Sequence, residues 1–269
     1  MRLDIHHETT YRYAATVNHS IQYLRLTPRT DGAQRRLHWQ IQSPGRRAVQ
    51  RDAFGNTVDV LTVDQPHQEI RVIVGGQVET QDGPTGLIPH ESAVPPLAFA
   101  LATPLTEAND AVRALSSAHL QAVVAEEASL IRLSEDILSK VRYLTGSTDV
   151  HSTAIQALAQ GQGVCQDHAH LFIACCRAVG IPARYVSGYL FTGDQGHLAS
   201  HAWAEAWVEQ GANGKPGGWY SVDITHARPA GAQTVRLAVG RDYMDASPVR
   251  GARRGGGEEK LDVLVRVEQ

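Results

Sequence analysis

Over the first part of the chain, apolar and polar positions alternate in short runs. These are 3–13 (LDIHHETTYRY), 20–28 (SIQYLRLTP), 36–43 (RLHWQIQS), 57–63 (TVDVLTV) and 69–80 (EIRVIVGGQVET). A period of two marks a strand with one buried face. Turn residues punctuate the runs: Pro28, Asp31-Gly32, Pro44-Gly45, Gly55-Asn56, Pro66 and Gly75-Gly76. Short strands between closely spaced turns predict an antiparallel β-sandwich-like domain. His6, His7 and His19 lie within it and are expected to be structural or exposed. A proline-rich connector, 82–104, follows, and its prolines disfavour ordered helix. The first domain is therefore expected over 1–104 and the second over 105–269.

The second domain opens with helical periodicity. EANDAVRALSS and LSEDILSKVRYL space apolar residues three and four apart, with Leu133, Ile137, Val141 and Leu144 on one face. HSTAIQALAQGQG predicts a short helix ending at Gly161. ARYVSGYLF, HAWAEAWVE and GWYSVDI predict three strands, and LDVLVRVEQ a last strand with Leu261, Val263, Val265 and Val267 on one face. The stretch 226–259 reads mostly as loop. The fold class is therefore α+β.

The segment GVCQDHAHLFIACCRAVGIPAR is the richest in chemistry. Its apolar face (Leu171, Phe172, Cys175, Cys176, Val179) predicts a buried helix, closed by Gly180 and Pro182. Cys165 then falls at the helix N-terminus. Free N–H groups and the positive end of the helix dipole favour a thiolate there. Cys175 and Cys176 lie on the buried face and are expected to be core residues.

A thiolate nucleophile needs a base, and the base an orienting group. His201 begins one strand and Asp223 ends the next, across a loop of turn residues. A hairpin pairing His201 with Asp223, and hence Ala206 with Gly218, brings imidazole and carboxylate onto one sheet face. His168, His170, His197, His201 and His226 invite a metal reading. A spacing of two does not put helical side chains on one face, and no histidine pair stands in a recognisable zinc motif. No metal and no cofactor are expected.

Composition narrows the surroundings. Lys+Arg number 25 and Asp+Glu 28, a formal charge of −3, which argues against nucleic-acid or polybasic membrane partners. Three cysteines cannot all pair, and their clustering fits a reducing compartment. The N-terminus lacks the apolar stretch of a signal peptide, and no apolar run approaches the length of a membrane span. A cytoplasmic location is the expectation.

GVCQDHAHLFIACCRAVGIPARYVSGY, HAWAEAWV and WYSVDITH, in that order, closely resemble the bacterial transglutaminase-like superfamily. TYRYAATVNHSIQYLRLTPR and RDAFGNTV resemble the N-terminal domain that precedes this core in bacterial members. VGRDYMDASPVRG resembles the family's ending. The resemblance implies a papain/transglutaminase-like core, with Cys on a helical part and His and Asp on an antiparallel sheet. It matches Cys165 to the nucleophile, His201 to the base and Asp223 to the orienting acid. Two departures stand out. His168 replaces the aromatic more common at its position. No tryptophan lies just upstream of Cys165 to supply an oxyanion donor, so the Cys165 N–H and an amide of Gln160 or Gln162 are the donors to examine. Of other polar residues nearby, Asp167 is expected to serve the helix start, Arg184 and Glu205 the fold, and Asp242 and Tyr243 the border of the cleft.

The implied chemistry is thiol-dependent cleavage of a peptide, isopeptide or side-chain amide bond in a peptide or protein substrate, through a thioester. Transfer of the acyl group to an amine is the alternative enzyme, and a non-catalytic binding module the alternative class. All three matching residues are present, which favours an enzyme.

Overall fold

The computed structural model describes residues 1–82, 87–123, 125–193, 200–211 and 215–269. In chain order its elements begin with β1 (Arg2–Leu24), β2 (Gln34–Gln42), β3 (Arg46–Arg51), β4 (Thr57–Val63), β5 (His67–Thr80) and β6 (Leu87–Ile88). There follow α1 (Asp110–His119), α2 (Glu127–Lys140), β7 (Arg142–Tyr143), α3 (Ala154–Gln160), β8 (Gln162–Gly163) and α4 (Cys165–Ala178). The chain closes with β9 (Ala183–Leu190), β10 (Ser200–Gly211), β11 (Lys215–Asp223), β12 (Arg228–Pro229), β13 (Thr234–Gly240), α5 (Tyr243–Ala246), β14 (Val249–Gly255) and β15 (Glu259–Glu268). No helix among the described residues is long and apolar enough to cross a membrane.

The first sheet runs β2-β5-β1-β4-β3, with β14 and β15 also paired to β1. The two alternating runs expected at 3–13 and 20–28 merge into the single long strand β1. It bends at an irregularity between Arg12 and Val17. Its first half lies between β5 and β15, its second half between β4 and β14. One bent strand thus curls the antiparallel sheet around a core that includes Leu3, Leu24, Leu61, Ile70 and Val78.

Gly75 and Gly76 mark no turn. They lie inside β5, where a Cβ on Gly76 would stand 2.1 Å from the His38 carbonyl oxygen and one on Gly75 2.9 Å from that of Ile5. The glycines admit the neighbouring strands.

The second sheet runs β12-β11-β10-β9-β13, with β6 on β11. α4 packs on β9 and β10, and α1, α2 and α3 pack on α4. Leu130, Leu133, Ile137, Leu171, Phe172, Cys175 and Cys176 share one core with the alanines of β10. The opposite side of this sheet meets the first domain: Tyr189, Val235 and Leu237 join the core of the β1 sheet. β9 and β13 are consequently buried along their whole length.

Several expectations change. The 226–259 stretch is not mostly loop, because it carries β13, α5 and β14. β14 and β15 return to β1, so the chain from Val249 on hydrogen-bonds with the first domain's sheet, and a cut at 104/105 does not separate two sheets. Of the four apolar residues expected on one face of β15, only Val265 and Val267 are buried, and Leu261 and Val263 are exposed. α2 ends at Lys140, so Val141 is its cap and the exposed Leu144 lies beyond it. The connector holds β6 and short 3₁₀ turns at Pro96–Ala100 and Pro104–Thr106. Proline at the first turn costs no hydrogen bond there.

Buried charges join the domains. Glu205 Oε2 lies 2.6 Å from Arg184 Nε and its Oε1 3.1 Å from Arg236 Nε. Arg236 Nη1 lies 2.5 Å from Asp31 Oδ2 of the first domain. Burial alone would raise the Glu205 carboxyl, but the two guanidiniums hold it below its ordinary value.

Candidate active site

The helix that carries Cys165 starts abruptly. Thr153 caps α3, and Gly161, at φ +66°, ends it. Gly163 then passes so close to α4 that a Cβ would sit 2.7 Å from Asp167 Cβ. The Asp167 carboxylate accepts from Val164 N at 2.7 Å and from the Thr148 hydroxyl at 2.6 Å. A carboxylate on the N-terminal N–H groups is the favourable arrangement at this pole of a helix. Burial nevertheless pushes the Asp167 acid upward. Cys165 is the first helical residue, partly exposed and unpaired, while Cys175 and Cys176 are free and fully buried. Burial raises both of those thiols.

His201 lies near the start of β10 and Asp223 at the end of β11. The pairing differs from the expected one by two residues. Ala206 opposes Tyr220, and Gly218 opposes Val208. Two contacts account for the shift. Trp207 pairs directly with Trp219, ring centroids 5.2 Å apart. Gly218 lies against β6, where a Cβ would come within 2.9 Å of Leu87. A shift of two leaves every side chain on its original face. His201 and Asp223 therefore meet diagonally, and Nε2–H of His201 donates to Asp223 Oδ1 at 2.9 Å. Residues 212–214 of the connecting loop, and His197, lie outside the described residues.

The pair is buried and strongly polarised. Burial would lower the His201 ring, but hydrogen bonds with Asp223 and with the Cys165 side chain outweigh it and carry the ring up to about 9. Asp223 moves the other way: despite burial, hydrogen bonds from His201 and His226 hold it well below its ordinary value. Since Nε2 serves Asp223, Nδ1 is the ring nitrogen left for the thiol. Trp203 stacks on the His201 ring at 6.0 Å and 28°, and its Nε1–H donates to Ser221 Oγ at 2.9 Å. The ring is thus fixed on its face as well as at its edge.

Cys165, His201 and Asp223 are accordingly together. Sequence reasoning missed Tyr143 and weighed His226 only as a metal ligand. Tyr143 pairs with Gly163 and its ring lies 6.1 Å from that of His168. Its phenol is raised by burial and by the proximity of Cys165. His226 donates Nδ1–H to the second oxygen of Asp223 at 2.8 Å. No periodicity marks either residue, because each arrives through a two-residue bridge or a single turn.

The remaining polar residues hold the frame. His168 Nε2–H donates to the Val141 carbonyl at 2.9 Å, which leaves Nδ1 to accept from the Thr225 hydroxyl at 3.1 Å. His168 therefore ties α4 to the chain on either side of the site, and burial lowers its ring. His170 accepts from Tyr243 N at 3.1 Å, so the two helix histidines serve different partners. Asp242 caps α5, accepting from Met244 N at 2.8 Å. Arg184 and Glu205 belong to the interdomain charge cluster. Neither Gln160, the last residue of α3, nor Gln162, in β8, has a side-chain hydrogen bond to the Cys165–His201 pair among those described. His201, Asp223 and His226 present ligand atoms within 4.8 Å of one another, the one such set among the described residues that could hold a metal ion. Both Asp223 oxygens are instead spanned by imidazole N–H groups.

Residues 3–79 match the family model of the bacterial transglutaminase-like N-terminal region, and residues 113–224 that of the transglutaminase-like superfamily. An uncharacterized protein of Mycobacterium leprae is 30% identical over 99% of this chain and 98% of its own length. One of Mycobacterium tuberculosis is 32% identical over 99% of this chain and 92% of its own. Among solved structures, "a Putative Cysteine Protease from Cytophaga hutchinsonii" superposes with a TM-score of 0.78 at 22% identity, covering 100% of this chain and 90% of that one. That likeness is one of fold.

Proposed function

The chain belongs to the transglutaminase-like superfamily, and we propose that it is a thiol-dependent acyl-transfer enzyme that hydrolyses a peptide, isopeptide or side-chain amide bond. One observation carries the proposal: His201 is buried between the thiol at the first residue of α4 and the carboxylate of Asp223.

In this reading His201 holds the proton of Cys165 as an imidazolium, and Asp223 fixes the ring. The thiolate attacks the amide carbonyl carbon. The oxyanion faces the N–H of Cys165 at the first position of α4, which helix geometry leaves without an intrahelical acceptor. Nδ1–H of His201 passes its proton to the departing amine as the C–N bond breaks, leaving an acyl thioester on Cys165. Neutral His201 then takes a proton from water, hydroxide adds to the thioester, and the carboxylic acid and the thiolate–imidazolium pair are restored. The three free cysteines support a reducing, cytoplasmic setting, in which such a nucleophile stays reduced.

The test is incubation with a peptide library, with and without a primary amine, products being identified by mass. Hydrolysed product is expected from wild type, and a loss of roughly a thousandfold or more in Cys165→Ala. Full activity in Cys165→Ala would remove the nucleophile. Predominant incorporation of the amine would make the enzyme a transamidase.

A further inference from the structure

We propose that His226 is a positioning residue of this site, holding the Asp223 carboxylate from the side opposite His201 so that the side chains of the site form a line of four: Cys165, His201, Asp223, His226. The inference rests on the reading above and adds a residue that the Cys–His–Asp chemistry does not itself require.

Three observations carry it. First, a carboxylate accepts only, so with Nε2 of His201 on Oδ1 at 2.9 Å and Nδ1 of His226 on Oδ2 at 2.8 Å, both rings donate and the carboxylate plane is fixed at both oxygens. Asp223 is fully buried, whereas the His226 side chain is 41% exposed, so the second ring closes the solvent side of the carboxylate. Second, His226 occupies the last position of a 3₁₀ turn, Ile224–His226, whose every side chain is engaged. Ile224 is in the core, the Thr225 hydroxyl donates to His168 on the helix of Cys165, and His226 reaches back to Asp223. Third, the turn is closed by Ala227 at φ +48°, ψ +49°, left-handed backbone that a non-glycine residue adopts only at a cost. Its N–H returns to the Ile224 carbonyl at 3.1 Å. Strained backbone retained next to a buried charged pair is what a turn shaped to aim a side chain would show.

Without His226, Oδ2 would lose its donor in a buried place, and the carboxylate would be free to rotate away from His201. The loss of one hydrogen bond to a charged group corresponds to a rate effect of roughly tenfold.

The experiment is the rate of Cys165 alkylation by iodoacetamide at pH 6.5, followed by peptide mapping, in wild type, His201→Ala, His226→Leu and His226→Asn. Circular dichroism verifies folding of each. The Asn side chain places an amide N–H where Nδ1–H stands. The expected result is a wild-type rate well above that of an ordinary thiol, lost in His201→Ala, lowered roughly tenfold in His226→Leu and restored in His226→Asn. Rapid wild-type labelling with both His226 variants unchanged would overturn this inference and leave the reading of Cys165 and His201 standing. Equal slowing in Leu and Asn would also overturn it, since shape and not the donor would then matter. Wild-type labelling no faster than an ordinary thiol would overturn both. Should His226→Leu fail to fold, His226→Gln, whose donor sits one bond too far, takes its place and is expected to stay slow.

Discussion

Asp223→Asn changes one charge and almost no volume. The His201 ring stands at about 9 because its hydrogen bonds to Asp223 and Cys165 overcome burial. With an amide in place of the carboxylate, the largest raising contribution disappears and burial remains. Cys165 still raises the ring, but without the carboxylate burial weighs more, so the ring falls from about 9 toward its ordinary 6.5. At pH 7.5 a ring at about 9 is almost wholly protonated, whereas one near 6.5 is protonated only about one-tenth of the time, so the ion pair with Cys165 weakens with it. The amide brings a second fault. His201 and His226 both donate to this side chain, and an amide offers one acceptor and one donor, so one ring must change tautomer or lose its bond. Alkylation of Cys165 at pH 7.5 should therefore slow roughly tenfold or more. Cys175 and Cys176, fully buried, serve as unreactive internal controls in the same peptide map. A labelling rate within about twofold of wild type would show that the carboxylate does not sustain the imidazolium, and the electrostatic argument for the site would fail.

Gly163→Ala places a methyl group 2.7 Å from Asp167 Cβ, so the start of α4 must move. We expect a loss of about 1–3 kcal/mol in chemical denaturation together with slower Cys165 labelling. Glu205→Gln leaves Arg184 and Arg236 buried without their shared counter-charge, and should cost about 3–5 kcal/mol of folding free energy. The raised His201 ring makes stability depend on pH. Its folded value of about 9 lies above 6.5, so its stabilisation is complete below pH 6.5 and is lost as pH rises through 9. The lowered Asp223 acts in the opposite sense, stabilising above its ordinary value of 3.8 and failing only in strong acid. Melting temperatures of wild type and Asp223→Asn should therefore differ most near pH 6, and the gap should narrow as pH rises through 9 and the His201 contribution is lost. A constant gap would count against the linkage.

Local signals were enough to place Cys165. Gly161, Gly163, the apolar face beginning at Leu171, and Gly180 followed by Pro182 all act within a turn or two of the residues they define. His201 and Asp223 were legible as chemistry and as neighbours, but their register was not. It is set by the Trp207–Trp219 contact and by β6 arriving from the distant connector, neither of which a count along the hairpin can contain. β13 was hidden for a related reason. Every residue of Thr234–Gly240 is buried because both domains cover it, so no alternation appears. β3 shows the reverse: all its residues are exposed on a sheet edge, and RRAVQR carries no face to read. His226 gave no pattern because its place depends on the single left-handed residue that follows it.

The first domain bears on the chemistry through β10. His201, Trp203 and Glu205 lie two residues apart on one face of that strand, and each is held by a different partner. His201 is bonded to Asp223. Trp203 is stacked on His201, bonded to Ser221, and packed with Val186, Val239 and Phe54 of the first domain. Glu205 is locked by Arg184 and by Arg236, which reaches Asp31 of the first domain. Swinging the His201 end of β10 away from Cys165 would therefore disturb a buried tryptophan and a buried charge cluster, not a free strand end. The covering domain contributes no reacting group to the site described above, yet it makes the imidazole position costly to change. The second sheet is buried on the side away from α4, and the chain's last two strands return to β1, closing the layer that lies over it.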